Sequence, residues 1–437
     1  MIRTLLRTAL DSLRHQKLSR DIAYTMGSFF ILAISGIVIN IVITASRDAA
    51  SLGVFNLAYA VYIVASQFAS WGLHYSVLRH AAYIEDPAER GDLLCTASAC
   101  ALAMGGVAAA ALAFGEPLLA QAFGSEVTGA AIRNAAFGLL LFPLNKVLLA
   151  FLNGMRHMKA FSLLQGLRYL TVMVLVSAIV LSDLPIESAT FCFVVAEAIT
   201  VVGAAAYIWQ RRLIASCSVS AAWLRRHYAF GTKGLAAGMF AEVNSRIDVL
   251  MIGFLLDERA TGIYSFAAML VDGLYHVLAM VRINFNPMLV SALRDKDYAL
   301  AGNLRLRSRQ YVLPATGVLA VMVLGAYLFA AMWIVPGKGL DEGVGSLVIL
   351  LLGLVTVSML VPFDNLLMVS GHPGYQTGQQ LATVTANVAV AALLLPLLGI
   401  EGAALGTAGS YWVGTAMLIF FSKRVVGWNL VTNRFRT

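Results

Sequence analysis

Apolar runs of about twenty residues recur along the entire 437-residue chain, and no other property restricts its fold as severely. Water gives no reason for them, whereas one helix crossing a hydrocarbon layer about 30 Å thick needs a run of that length. Only 12% of the residues are charged, against about 25% in an ordinary soluble domain, which excludes a soluble globule. Backbone groups inside lipid must be paired within the segment, so the runs are read as helices. The spans fall at 21–43, 54–78, 93–115, 131–152, 160–182 and 188–210, then at 234–256, 262–290, 311–335, 345–369, 378–396 and 403–422. The expected fold is an all-α polytopic membrane protein of about twelve transmembrane helices in two six-helix lobes.

Charge placement sets the orientation. With both termini cytoplasmic, 23 of the 31 Lys and Arg lie in cytoplasmic segments, three outside (Arg47, Arg259, Lys338) and five within spans (Arg133, Lys146, Arg168, Arg246, Arg282). The opposite orientation inverts that ratio, against the positive-inside tendency. The +8 formal charge therefore reflects topology, and no nucleic-acid partner is expected. Residues 1–20 form a basic amphipathic segment expected on the cytoplasmic surface, with no cleavable secretory signal evident. The lobes are expected at 21–210 and 234–422, joined by a polar cytoplasmic linker at 211–233 and followed by a cytoplasmic tail at 423–437. Cys95, Cys100, Cys192 and Cys217 form no CxxC pair and are expected to be small packing residues.

The halves repeat. DAASLGVFNLA at Asp48 to Ala58 aligns without gaps on DERATGIYSFA at Asp257 to Ala267. Pro143 and Asn145 match Pro362 and Asp364, and LPIESA from Leu184 matches LGIEGA from Leu398. Matches in the same order, at nearly constant offset, indicate two repeats of like orientation.

Charges inside the spans are the candidate functional residues, because each costs about 2.5–3.5 kcal/mol on insertion scales. Lys146, Arg168 and Arg282 lie about eight residues from their cytoplasmic span ends, ~12 Å deep at ~1.5 Å per residue, and would make a basic collar there. Snorkelling to the headgroups is the competing role. Arg246 lies near the midplane. At helical spacing Glu242 and Arg246 form one face of the seventh span, suited to an internal ion pair, while Asn244 and Asp248 form another. Asp248 is the candidate for a coupling cation or proton, as are Asp272 with His276 on the eighth span, and Asp364. Pro143 and Pro362 are expected to kink the fourth and tenth spans beside Asn145, Lys146, Asp364 and Asn365. No P-loop, HExxH, CxxC…CxxC or nucleophile elbow occurs, so no catalytic residue, metal or cofactor is expected beyond possible coupling to Na⁺ or H⁺.

SRIDVLMIGFLLDERATGIYSFAAML, NFNPMLVSAL and LPLLGIEGAALGTAGSYW resemble the polysaccharide and lipid-linked oligosaccharide flippases of the multidrug, oligosaccharidyl-lipid and polysaccharide exporter superfamily. The resemblance covers essentially the whole chain. It implies two lobes facing each other in a V, with alternating access through a central cavity in the bacterial inner membrane. It also implies movement of an undecaprenyl-pyrophosphate-linked oligosaccharide, as in O-antigen and lipopolysaccharide assembly, for which Lys146, Arg168, Arg246, Arg282, Asn145 and Asn365 would be substrate ligands. Peptidoglycan-precursor flippases are similar but usually carry two further C-terminal helices, and here the chain ends about fifteen residues after the last span. A polymerase and glycosyltransferases are the expected protein partners, with membrane lipids around a monomer. The alternatives are a cation-coupled multidrug exporter, suggested by Asp248, Asp272 and Asp364, and a non-transporting scaffold for polysaccharide enzymes.

Overall fold

The computed structural model describes the backbone of residues 2–435 and the side chains of residues 24–232, 239, 240 and 242–435. The amphipathic reading of residues 1–20 concerns side chains outside the described residues. The helices in the first half are α1 (Ile2–Ser46), α2 (Ala49–Ser70), α3 (Leu73–Ala81), α4 (Pro87–Phe114), α5 (Glu116–Phe123), α6 (Glu126–Leu139), α7 (Phe142–Gly154), α8 (Met158–Leu181) and α9 (Cys192–Gln210). Then follow α10 (Ala221–Asn244), α11 (Ile247–Leu255), α12 (Glu258–Arg294), α13 (Tyr298–Arg307), α14 (Leu313–Phe329), α15 (Val344–Val357), α16 (Leu366–Val369), α17 (Pro373–Leu398) and α18 (Ile400–Phe421). A two-stranded hairpin, β1 (Trp428–Asn429) and β2 (Arg434–Phe435), closes the described chain.

Among the described residues, ten helices are long and apolar enough to cross a membrane, and the pair α6 and α7, bent by 42°, makes an eleventh candidate. The expected seventh span differs. It is divided between α10 and α11 by a break at Ser245–Arg246, where the Ser245 hydroxyl donates to the Glu242 carbonyl at 2.9 Å. A hydroxyl that bonds its own backbone competes with the helical ladder, and Arg246 leaves the α region at φ −129°. The expected fourth and tenth spans are broken too. α7 begins at Phe142 with Pro143 in its first turn, where the missing N–H costs nothing. Pro362 lies in a 3₁₀ turn, Val361–Phe363, beyond the end of α15.

The chain forms two compact units. The first comprises residues 1–39, 65–116 and 130–235. Its core joins Leu73, Leu93, Ala97, Phe151, Leu152, Ala204 and Trp223, all fully or nearly buried. Residues 213–220 run along the first turns of α4: Ala215 N–H donates to the Pro87 carbonyl at 3.0 Å, the Ser218 hydroxyl to Asp92 at 2.6 Å, and Ser220 N–H to the Thr96 hydroxyl at 2.9 Å. A disulfide between Cys95 and Cys217 fastens the same strap. This corrects the expectation that all four cysteines are packing residues. Cys100 and Cys192 are free and buried, while Cys95 and Cys217 are brought together by a fold that spacing along the chain could not reveal.

The second unit comprises residues 40–64, 117–129 and 236–437. One of its cores gathers Leu289, Leu304, Phe363, Leu366, Leu367 and Leu418 around the fully buried Trp428 of the hairpin. The Arg305 guanidinium donates to the Leu430 carbonyl at 2.9 Å, so the hairpin is held by charge as well as by packing. Elsewhere in this unit the repeated motifs meet. Asp48 caps α2 through Ser51 N–H, and Asp257 caps α12 through Ala260 N–H, each at 2.7 Å. The two helices cross at Gly53 and Gly262, where a Cβ on either would fall within 2 Å of the other helix's carbonyl oxygens. Asn56 then donates to the Ser265 hydroxyl, its counterpart in the repeat, at 2.9 Å.

Candidate functional site

In the first unit, Lys146 and Arg168 gather around one aromatic ring. Phe142, Asn145 and Lys146 are three and four residues apart on α7 and share a face. The Lys146 ammonium lies 4.9 Å from the centre of the Phe142 ring, and the Arg168 guanidinium of α8 lies 5.1 Å from it. Both are cation–π distances. Lys146 also donates to the side-chain Oε1 of Gln67 at 3.3 Å. Arg168 points Nε and Nη2 at one oxygen of Glu197 on α9, at 2.7 and 2.5 Å, and the Asn145 amide donates to the other oxygen at 2.5 Å. Glu197 is completely buried and Asn145 is 3% exposed. A carboxylate withdrawn from water persists only when paired and hydrogen-bonded, and Glu197 is both.

In the second unit the interior charges singled out above fall into three groups. Asp248, buried on α11, accepts from the Tyr264 hydroxyl at 2.6 Å, from Val249 N–H at 2.8 Å and from the Thr407 hydroxyl at 3.2 Å. Arg246 lies over the Tyr59 ring at 5.2 Å and reaches Asp272 at 4.0 Å. The internal pair expected with Glu242 gives way to this one, because the break at Ser245–Arg246 carries Arg246 off the helical register of Glu242. On α12, Arg282 pairs with Asp364 at 3.6 Å, and the Tyr275 hydroxyl sits between them, accepting from Arg282 at 3.3 Å and donating to Asp364 at 3.2 Å.

The His276 ring bonds the Asp272 backbone carbonyl at 2.7 Å. Asn365 immediately precedes α16 and is half-buried, and its carbonyl accepts from Val369 N–H at 2.9 Å. Asn244 is joined to Asn387 of α17 at 3.4 Å. All four arginines placed within spans thus have carboxylate partners, Arg168, Arg246 and Arg282 as described and Arg133 with Glu116 at 2.9 Å. Two partners, Asp272 and Asp364, were singled out from the sequence for a different role. Glu197 was missed, although a carboxylate inside CFVVAEAIT is itself the signal of a buried charge. Tyr264, Tyr275 and Thr407 carry no such signal, since tyrosine and threonine are ordinary occupants of apolar helices.

Among solved structures, a lipid II flippase, MurJ, in an inward closed conformation is 12% identical, with a TM-score of 0.75 over 92% of this chain and 87% of that one. An inward-facing MATE-family multidrug resistance transporter of the MOP superfamily is also 12% identical, with a TM-score of 0.72 over 90% of this chain and 94% of that one. The MATE multidrug transporter DinF-BH gives 0.66 at 12% identity, over 95% and 96%. The chain is therefore a multi-pass membrane protein with the fold of these transporters. No curated protein matches it by sequence. The polysaccharide biosynthesis protein family model matches residues 18–290, more than half the chain, and the protein belongs to that family.

Proposed function

We propose that the chain is a flippase of surface-polysaccharide assembly. It carries a lipid-linked oligosaccharide from the inner to the outer leaflet of the bacterial cytoplasmic membrane by alternating access, with both termini cytoplasmic. The observation that carries this reading is the set of cations held inside apolar helices, Lys146, Arg168, Arg246 and Arg282, in a member of the polysaccharide biosynthesis family. An anionic diphosphate headgroup needs such donors inside the membrane, and a guanidinium suits phosphate geometry. The ion pairs supply the second requirement: each of the three arginines rests against a carboxylate, which lowers the cost of keeping it in lipid.

In a strain lacking the gene, the wild-type chain restores surface polysaccharide, and replacing Lys146, Arg168 and Arg282 together by Gln abolishes it. Undiminished polymer in the triple variant would sink the mechanism. One observation favours a second reading, a cation-coupled exporter of small molecules: the buried carboxylate of Asp248, held by three donors. That reading requires ion-dependent extrusion of dyes from vesicles and its loss in Asp248→Asn, and vesicles without extrusion dismiss it.

A further inference from the structure

Resting on the flippase reading, we propose that Glu197 is a positioning residue for substrate, and that the group it prepares a place for is the junction between the phosphate and the first sugar. Glu197 touches no ligand in this scheme. It acts through two side chains that do.

The argument starts from the Asn145 amide. An amide can turn either its NH₂ or its carbonyl toward a neighbour, and a carboxylate accepts only from the NH₂. With Nδ2 2.5 Å from Glu197 Oε2, the Asn145 orientation is forced, and Oδ1 must face the opposite way. That oxygen is buried and has no hydrogen-bond partner among the described residues. An unpartnered acceptor at such depth costs free energy, and a side chain serving only to satisfy Glu197 has no reason to bear it. The unpartnered acceptor therefore points to a ligand that brings an O–H or N–H.

The charges beside it specify the rest of that ligand. Lys146 adjoins Asn145 on α7 and lies over Phe142, and Arg168 lies over the same ring. The cluster therefore presents an ammonium and a guanidinium on one aromatic face beside the Asn145 amide. Glu197 also takes two of the Arg168 nitrogens, which fixes the guanidinium plane beside Phe142. Two cations on an aromatic face next to a buried acceptor fit a phosphate oxygen followed by a sugar bearing a hydroxyl or acetamido N–H. This arrangement does not fit a free cation, and it does not fit a purely apolar tail.

The experiment uses the purified full-length chain in proteoliposomes, with undecaprenyl-diphosphate-linked N-acetylglucosamine radiolabelled in the sugar as probe. Initial rates of translocation are measured against probe concentration, and melting temperature is measured in parallel. Glu197→Gln and Asn145→Ala are expected to raise KM about tenfold, while Glu197→Asp recovers part of the loss. The decisive variant is the charge-balanced double, Arg168→Gln with Glu197→Gln. It is expected to recover the melting temperature lost in Glu197→Gln while KM stays high. A double variant that recovers both would reduce Glu197 to a structural counter-ion and overturn the inference. Unchanged KM in Glu197→Gln and Asn145→Ala, with normal wild-type translocation, overturns it as well and leaves the flippase reading standing. A wild-type chain that does not move the probe removes both.

Discussion

Gly53 and Gly262 occupy equivalent places in the two repeats, and each rests on the backbone of the other's helix. A Cβ on Gly53 would lie 1.7 Å from the Glu258 carbonyl oxygen, and one on Gly262 would lie 1.8 Å from that of Ala49. The contact is reciprocal and in register with the repeat, as the Asn56–Ser265 hydrogen bond one turn further along confirms. A sequence duplication has thus become a physical contact, in which each copy of the motif is the other's packing surface.

Alanine at either glycine is expected to force α2 and α12 apart, because the obstructing atoms are backbone and cannot turn aside. Overpacking of this kind costs about 1–3 kcal/mol, and melting of the purified protein in detergent reads it. Combined, the two substitutions should cost less than their sum, since helices already separated by one methyl make room for the second. Strict additivity would show that the glycines do not share one crossing.

The strap at 213–220 continues into α10, where His227 is fully buried. Its Nε2–H donates to the Leu93 carbonyl at 3.1 Å, leaving Nδ1 to accept from the Ser76 hydroxyl at 2.9 Å. Burial pushes its pKa down to about 4. The folded state therefore binds fewer protons than the unfolded state below pH ~6.5. Above that pH the residue has no effect. As pH falls toward 4, stability is lost, by at most about 3 kcal/mol. Melting between pH 7.5 and 4.5 should fall more steeply in wild type than in His227→Gln, and parallel curves would refute the assignment.

Cys95 and Cys217 close a segment with a sequence separation of 122. Denatured without reductant, the protein should present two thiols to a maleimide, Cys100 and Cys192, and after reduction four. Cys217→Ser should present three without reductant and lose about 2–4 kcal/mol of stability. Four reactive thiols before reduction would show that the strap is held by hydrogen bonds alone.

Trp428 is fully buried between Phe363 and Phe435, with ring centres 5.6 and 4.9 Å away. Trp428→Ala leaves a cavity with a cost of about 3–5 kcal/mol. The C-terminal hairpin of that variant should become susceptible to limited proteolysis well before the helices do. Equal resistance in wild type and variant would mean that Arg305 and Leu430 hold the hairpin without the indole.

The helical class and the duplication were legible because hydropathy and residue identity report them directly. The breaks were not. Residues 131–152 and 345–369 read as continuous spans, since an apolar run does not record where its backbone turns, and only Pro143 and Pro362 hinted at it. At the site, depth along each helix could be estimated, whereas the rotation of one helix against another could not. Arg168 was therefore recognised as a buried cation, but its partner, 29 residues away on another helix, was not. Glu242 and Arg246 failed for a related reason: four-residue spacing implies a shared face only while the helix is unbroken.

The pairing of interior charges also constrains how the chain enters the membrane. Arg168 on α8 meets Glu197 on α9, the next long helix, so the two can leave the translocon as one hairpin with their charges already neutralised. Arg282 on α12 must wait for Asp364, which is synthesised only after α13, α14 and α15. During that interval the arginine lacks the carboxylate it meets in the fold. When the Arg282 charge can be paired in this way is thus set by the position of one aspartate, three helices further along the chain.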